Sequence, residues 1–172
     1  MTQDAGTSEH GQYLWNESDG SFSVTLVGET DAEGGLIDNG SNSSLTLSVS
    51  GDTLTLDASV DFTRVKDESN TLIGSWVLIE GVNINILTIL SATDYTIVHS
   101  TTDGSNPGGE YLYGEFGTFS DDGTYTTFVQ DIDADGEGGL SHIGTDIEIT
   151  EDPGVSLNFM TSTESFTFDR LD

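Results

Sequence analysis

Cysteine is absent, which excludes disulfides and any thiolate site. Basic residues are almost absent too: three Lys and Arg stand against 31 Asp and Glu, a formal net charge of -28. Such a chain repels nucleic acid and anionic membrane surfaces, so neither is an expected partner. Its acids are scattered among Gly, Ser, Thr and strand-like apolar residues, as a solvated acidic surface requires, and that surface suits salty or cation-rich surroundings. Lys, Arg and Gln are scarce while Thr, Ser, Val, Ile, Gly and Asp abound, and no 3.6-residue apolar period runs through the chain, so essentially no helix is expected. No apolar run nears the ~20 residues that span a bilayer, and "MTQDAGTSEH" has neither the charged start nor the apolar run of a signal peptide. The chain as given reads as soluble; an export signal would have been removed or would lie upstream.

What is present is strand. Within 172 residues, 34% of them hydrophobic, a modest core is available to one domain, or to one domain and a fragment. "SWVLIEG", "INILTIL", "DYTIVHS", "EYLYGEFGTF", "GTYTTFVQ", "DIEIT", "VSLNF" and "ESFTFDRL" predict about eight strands from Ser75 onward. Turn-rich tracts such as "DGSNPGG", "SDDG" and "EDPG" separate them, a spacing that indicates an antiparallel all-β barrel or sandwich.

An internal repeat follows when "GQYLWNESDGSFSVTLVGETDAEGGL" is laid on "GEFGTFSDDGTYTTFVQDIDADGEGGL". Gly11 then meets Gly114, Tyr13 meets Phe116 and Phe22 meets Tyr125, with one residue inserted before the shared Gly-Gly-Leu. Further on, "GDTLTL" lies over "GVSLNF", and Phe62 and Arg64 meet Phe168 and Arg170. The expected organisation is a partial β-repeat of about five strands over 1–66, a polar linker at 67–71 and a complete repeat over 72–172. An open five-stranded unit would expose an unpaired edge and an apolar face.

These motifs carry a resemblance. "LIGSWVL", "LTILSATDYTIVHS", "GEFGTF", the Asp-rich stretch before "GGLSH" and the closing "FTFDRL" resemble, in order, a tandem repeat of secreted proteins and lipoproteins of environmental bacteria. The resemblance covers most of the chain and implies an extracellular or cell-surface location. More distantly, the chain is similar to calycin (lipocalin-like) barrels, up-and-down antiparallel barrels of about eight strands that commonly carry Gly-x-Trp on the first strand and an Arg near the last that lies across the Trp ring. The resemblance assigns those places to Gly74, Trp76 and Arg170, with Arg64 as the first repeat's counterpart of Arg170. A guanidinium over an indole is worth about 0.5–2 kcal/mol. The alternative is a β-sandwich in which Trp76 is ordinary core and Arg170 a surface ion-pair partner.

Candidate chemistry centres on "DIDADGEGGL". Asp131, Asp133 and Asp135, followed by Gly136 and Glu137, begin as a calcium loop does, with hard carboxylate oxygens at alternate positions and a Gly for the turn. The loop departs from the EF-hand at its twelfth position, where His142 replaces the bidentate Glu, so the two readings are a lone Ca²⁺ loop and a solvated acidic turn. Glu29, Asp31 and Glu33 echo the spacing in the first repeat without the aligned Gly. His10, His99 and His142 lie too far apart for a zinc motif, and Ser141-His142 lacks a nucleophile elbow, so no enzyme is expected. Tyr95, Tyr111, Tyr113, Phe116, Phe119, Tyr125 and Phe128 are expected to be mostly core, with some left for a cavity or a carbohydrate-stacking face. The expected function is a structural or adhesive extracellular β-repeat module, with calcium rigidifying its Asp-rich loops and neighbouring repeats or copies as partners. The rival is a lipocalin-like carrier of a small apolar ligand.

Overall fold

The computed structural model describes residues 9–29, 45–67, 70–101, 113–133, 139–143 and 146–171. Described residues form thirteen strands and a single 3-10 turn at Leu140–His142. Eight strands make one antiparallel sheet: β6 (Gly74–Glu80), β7 (Asn83–Ile89), β8 (Asp94–Thr101), β9 (Tyr113–Asp121), β10 (Thr126–Asp133), β11 (Glu148–Asp152), β12 (Ser156–Met160) and β13 (Ser165–Arg170). Their order is β10-β9-β8-β7-β6-β13-β12-β11. Chain neighbours therefore pair everywhere but between β10 and β11, which end the sheet, and the last strand pairs with the first through Arg170↔Trp76 and Asp169↔Val77. The sheet curls into a half-barrel whose seam falls between β10 and β11, where the described residues show a single bridge, Thr126↔Ile147.

Side chains alternate across this sheet as the pleat demands. Trp76, Leu87, Ile89, Tyr95, Ile97, Phe119, Phe128, Leu157, Phe159 and Phe168 all point inward, into one apolar cluster. Their rings touch, with Tyr95 edge-on to Phe128 at 4.9 Å and Phe159 tilted against Phe168 at 5.2 Å. On β9 the inward positions are Glu115, Gly117 and Phe119. Gly117 is small for a reason: a Cβ there would lie 2.2 Å from the carbonyl oxygen of Val129, beside the bulge between Gln130 and Ile132. The hairpin that follows β9 is capped by Asp122, which accepts the backbone N–H groups of Tyr125 and Thr124 at 2.8 Å each. Those two bonds, Tyr125's first, hold the Asp122 carboxyl below its ordinary value, so the cap is intact at neutral pH and is lost as pH falls through that lowered value.

The N-terminal strands are β1 (Glu9–Trp15), β2 (Phe22–Glu29), β3 (Leu47–Ser50), β4 (Thr53–Leu56) and β5 (Val60–Thr63). Five strands were expected here, but they do not form one sheet. β1 and β2 are a hairpin, β3-β4-β5 a three-stranded meander, and among the described residues a single bridge, Ser21↔Thr46, connects them. Their small core is Phe22, Leu45, Leu47 and Leu56.

Candidate functional site

The only buried acid among the described residues is Glu115, 2% exposed on the inner face of β9. Neighbouring β8 brings Tyr95 against it, and the Tyr95 hydroxyl donates to Glu115 Oε1. From the far side of the seam come the N–H groups of Leu140 and Ser141, at 3.1 and 3.3 Å from Oε1, and the Ser141 hydroxyl, 2.6 Å from Oε2. The same hydroxyl lies 3.3 Å from Gln130 Oε1 on β10. Glu115 thus receives N–H groups at the start of the 3-10 turn, where a helical turn presents its donors. Gly139 permits the approach: its φ is 94°, and a Cβ would lie 2.3 Å from Glu115 Oε2. Gly139, Leu140 and Ser141 are therefore a latch that fastens the seam segment onto β9, and Leu140, 1% exposed, plugs the core beside it. The Ser141 hydroxyl is engaged in that latch.

A second contact closes the other junction. The Arg170 guanidinium carbon lies 4.6 Å from the Trp76 ring centroid. Its Nη1 donates to the Thr71 carbonyl at 2.9 Å and its Nη2 to the Ile73 carbonyl at 3.0 Å, while Trp76 Nε1 donates to the Leu72 carbonyl at 3.0 Å. Gly74, φ 136°, leaves space for the guanidinium, since a Cβ there would lie 2.3 Å from Nη2. Among the described residues no ring lies over Arg64. Its Nε lies 3.5 Å from Asp52 Oδ1, and Lys66 Nζ lies 3.0 Å from the other Asp52 oxygen.

The N-terminal unit holds an open apolar cleft of about 590 Å³ between hairpin and meander. Tyr13, Trp15 and Phe22 form one wall, and Leu54, Leu56 and Phe62 the other. Tyr13 is 67% exposed and Phe62 48%. Polar groups contribute almost nothing to the lining, so the cleft offers dispersion and hydrophobic contact without hydrogen-bonding specificity.

Of the sequence-predicted metal residues, Asp131 is exposed on β10, while Asp133 and Glu29 end β10 and β2. Asp135, Glu137, Asp31 and Glu33 lie outside the described residues. Among the described residues no three His, Asp or Glu side chains are grouped as a metal would need. His99 is a cross-strand partner of Asn85, with Nδ1 2.6 Å from Oδ1. Of the aromatic set, Tyr95, Phe119 and Phe128 are core, Phe116 and Tyr125 are exposed, and Tyr111 is outside the described residues. Glu115 was not singled out by sequence, although its parity with Phe119 places it on the inner face. Compared with protein-family models, curated proteins and solved structures, the chain finds no match in any of the three.

Proposed function

We propose that this chain is an extracellular or surface-attached β-repeat module, structural or adhesive in role, that joins neighbouring β-repeats through its incomplete N-terminal unit. The observation that carries this reading is the contrast between a filled unit and an open one of the same strand order. Hairpin β1-β2 followed by meander β3-β4-β5 repeats the order of β9-β10 followed by β11-β12-β13.

Strand register supports the equivalence and improves on the motif match. Both hairpins bulge on the second strand, where Gly11 faces Leu26 next to one register shift and Gly117 faces Gln130 next to the other. Matching the bulges puts Glu9 on Glu115, Gly11 on Gly117 and Tyr13 on Phe119, so that "EHGQY" lies over "EFGTF". Phe22 then falls on Thr126, and each donates its N–H across the unit's bridge, to Leu45 and Ile147 respectively. No insertion before Gly-Gly-Leu is needed; the extra residues sit in the β1-β2 turn, 16–21 against 122–125. In the meanders, Arg64 N–H donates to the Asp52 carbonyl as Arg170 N–H donates to the Val155 carbonyl, both at 2.8 Å.

The carrier reading is weaker because the inner face of the eight-stranded sheet is packed: Trp76, Tyr95 and Phe159 are fully buried there. Adhesion is tested by light scattering. At low salt the charge of -28 opposes association. Above about 0.15 M salt, where the Debye length falls to ~8 Å, the average mass is expected to rise, and a charge in the cleft, Phe62→Asp, is expected to return it to the monomer. A monomer under every condition overturns the reading. Calcium bound by Asp131, Asp133, Asp135 and Glu137 belongs to the same proposal. Titration calorimetry at millimolar Ca²⁺ is expected to give a saturable heat that Asp131→Asn with Asp133→Asn removes; a flat wild-type titration leaves a solvated acidic turn.

A further inference from the structure

Two strand edges in the N-terminal unit are open among the described residues: β1 pairs only with β2, and β5 only with β4. In the eight-stranded sheet the corresponding edges are occupied, β9 by β8 and β13 by β6. Strands β6, β7 and β8 cover the apolar face of β9–β13 there; over β1–β5 nothing does so among the described residues, and the 590 Å³ cleft is the result.

Charge adds specificity. Two of the chain's three basic residues, Arg64 and Lys66, stand just past β5 in a chain of net charge -28. The third, Arg170, shows what a guanidinium at this place takes: an indole face and the carbonyls of the segment that enters β6. Residues 70–101, which supply that surface, contain Glu80 and Asp94 and no Lys or Arg. A cation-bearing edge on an acidic molecule therefore faces the place where an acidic, Trp-bearing strand would pair.

We infer that the cleft of β1–β5 is a docking site for a three-stranded antiparallel β-meander of another polypeptide, one that opens with Gly-x-Trp and sets its indole beneath Arg64. The inference rests on the β-repeat reading above and names its contact. The donor lies in another polypeptide because this chain has one Gly-x-Trp, residues 74–76, already held by Arg170. Moving it to Arg64 would only move the vacancy. First and third strands of the incoming meander add to the β5 and β1 edges by main-chain hydrogen bonds, and the middle strand roofs the cleft.

The probe is residues 70–101 of this sequence fused to an inert carrier domain, titrated into the full-length chain and followed by anisotropy. Saturable one-to-one binding is expected. Arg64→Ala in the chain, or Trp76→Ala in the probe, is expected to weaken it about tenfold, and the two together no further than either alone, since both remove one contact. Lys66→Ala is expected to change it less than about threefold, as an exposed charge does. Phe62→Asp is expected to abolish it, and Val49→Asp, at another exposed position of the cleft lining, serves as the second cleft variant. Binding that survives both cleft variants overturns the proposal, because the probe has then entered the eight-stranded sheet. Equal affinities for wild type and Arg64→Ala also overturn it. A fluorescent fatty acid that fills the cleft and resists the probe makes it a small-ligand site instead. Salt-dependent assembly of the chain without any probe binding overturns this inference alone and leaves the repeat-module reading standing, whereas a monomer that also ignores the probe removes both.

Discussion

Glu115→Ala is expected to lower the unfolding free energy by about 3–5 kcal/mol, the largest effect of any single polar substitution in the chain. The carboxylate accepts from the Tyr95 hydroxyl, two backbone N–H groups and the Ser141 hydroxyl inside a 2%-exposed site. Alanine leaves those donors buried and unpaired, at about 1–3 kcal/mol for each that water cannot reach, and opens a cavity beside Leu140. Glu115→Gln keeps one acceptor oxygen but sets an NH₂ group against donors, so an intermediate loss is expected. Tyr95→Phe removes one donor and leaves the carboxylate its backbone partners, for about 1 kcal/mol. Urea unfolding measures all three, and amide exchange localises the change: the N–H groups of Leu140 and Ser141 are expected to exchange faster in Glu115→Ala than those of Leu157 and Phe168. A loss under about 1 kcal/mol for Glu115→Ala would mean that the latch does not fasten the seam.

Why Glu115 was not picked out by sequence is instructive. In a chain with 31 acids, an acid carries little information by type. Its information is positional: Glu115, Gly117 and Phe119 share one face of β9, and a pleated strand cannot bury Phe119 without turning Glu115 inward. Strand type and number were legible for the opposite reason. The apolar run in "SWVLIEG" and the alternation in "ESFTFDRL" each extend over several positions, and turn residues fix the breaks. Trp76 and Arg170 were named by the resemblance, and in a chain with three basic residues Arg170 also stood out. Gly20 and Gly123, both turn glycines with positive φ, invite one alignment of the two hairpins, and the proposed equivalence matches their bulges instead. Separation of the N-terminal strands into hairpin and meander was not legible either. It depends on which strands pair across a sheet edge, and the pattern within a strand does not encode its partner.

Arg170→Ala is expected to cost about 2–4 kcal/mol, against less than about 0.5 kcal/mol for Lys66→Ala and for Arg64→Ala in the chain alone. Three cations of similar chemistry differ here only in what surrounds them. Arg170 covers the ring of Trp76, which is fully buried, and its guanidinium joins β13 to the segment entering β6 through the carbonyls of Thr71 and Ile73. That junction is short, since β13 and β6 share only the pairs Asp169↔Val77 and Arg170↔Trp76, so the side chain supplies much of what the ladder does not. Its loss would also expose one face of an indole whose Nε1 remains tied to Leu72. Arg64 and Lys66 share one half-exposed carboxylate, Asp52, and solvent screens both pairs. Arg170→Lys separates charge from shape: a lysine keeps the cation over the ring but cannot reach two carbonyls with a planar fork, so roughly half the loss is expected. Thermal and urea unfolding of the four variants, with Trp fluorescence to follow the indole, make the comparison. Equal and negligible shifts for Arg170→Ala and Lys66→Ala would show that the β13–β6 junction is held by its ladder and not by the guanidinium, and would leave Arg64 without the precedent on which its docking role stands.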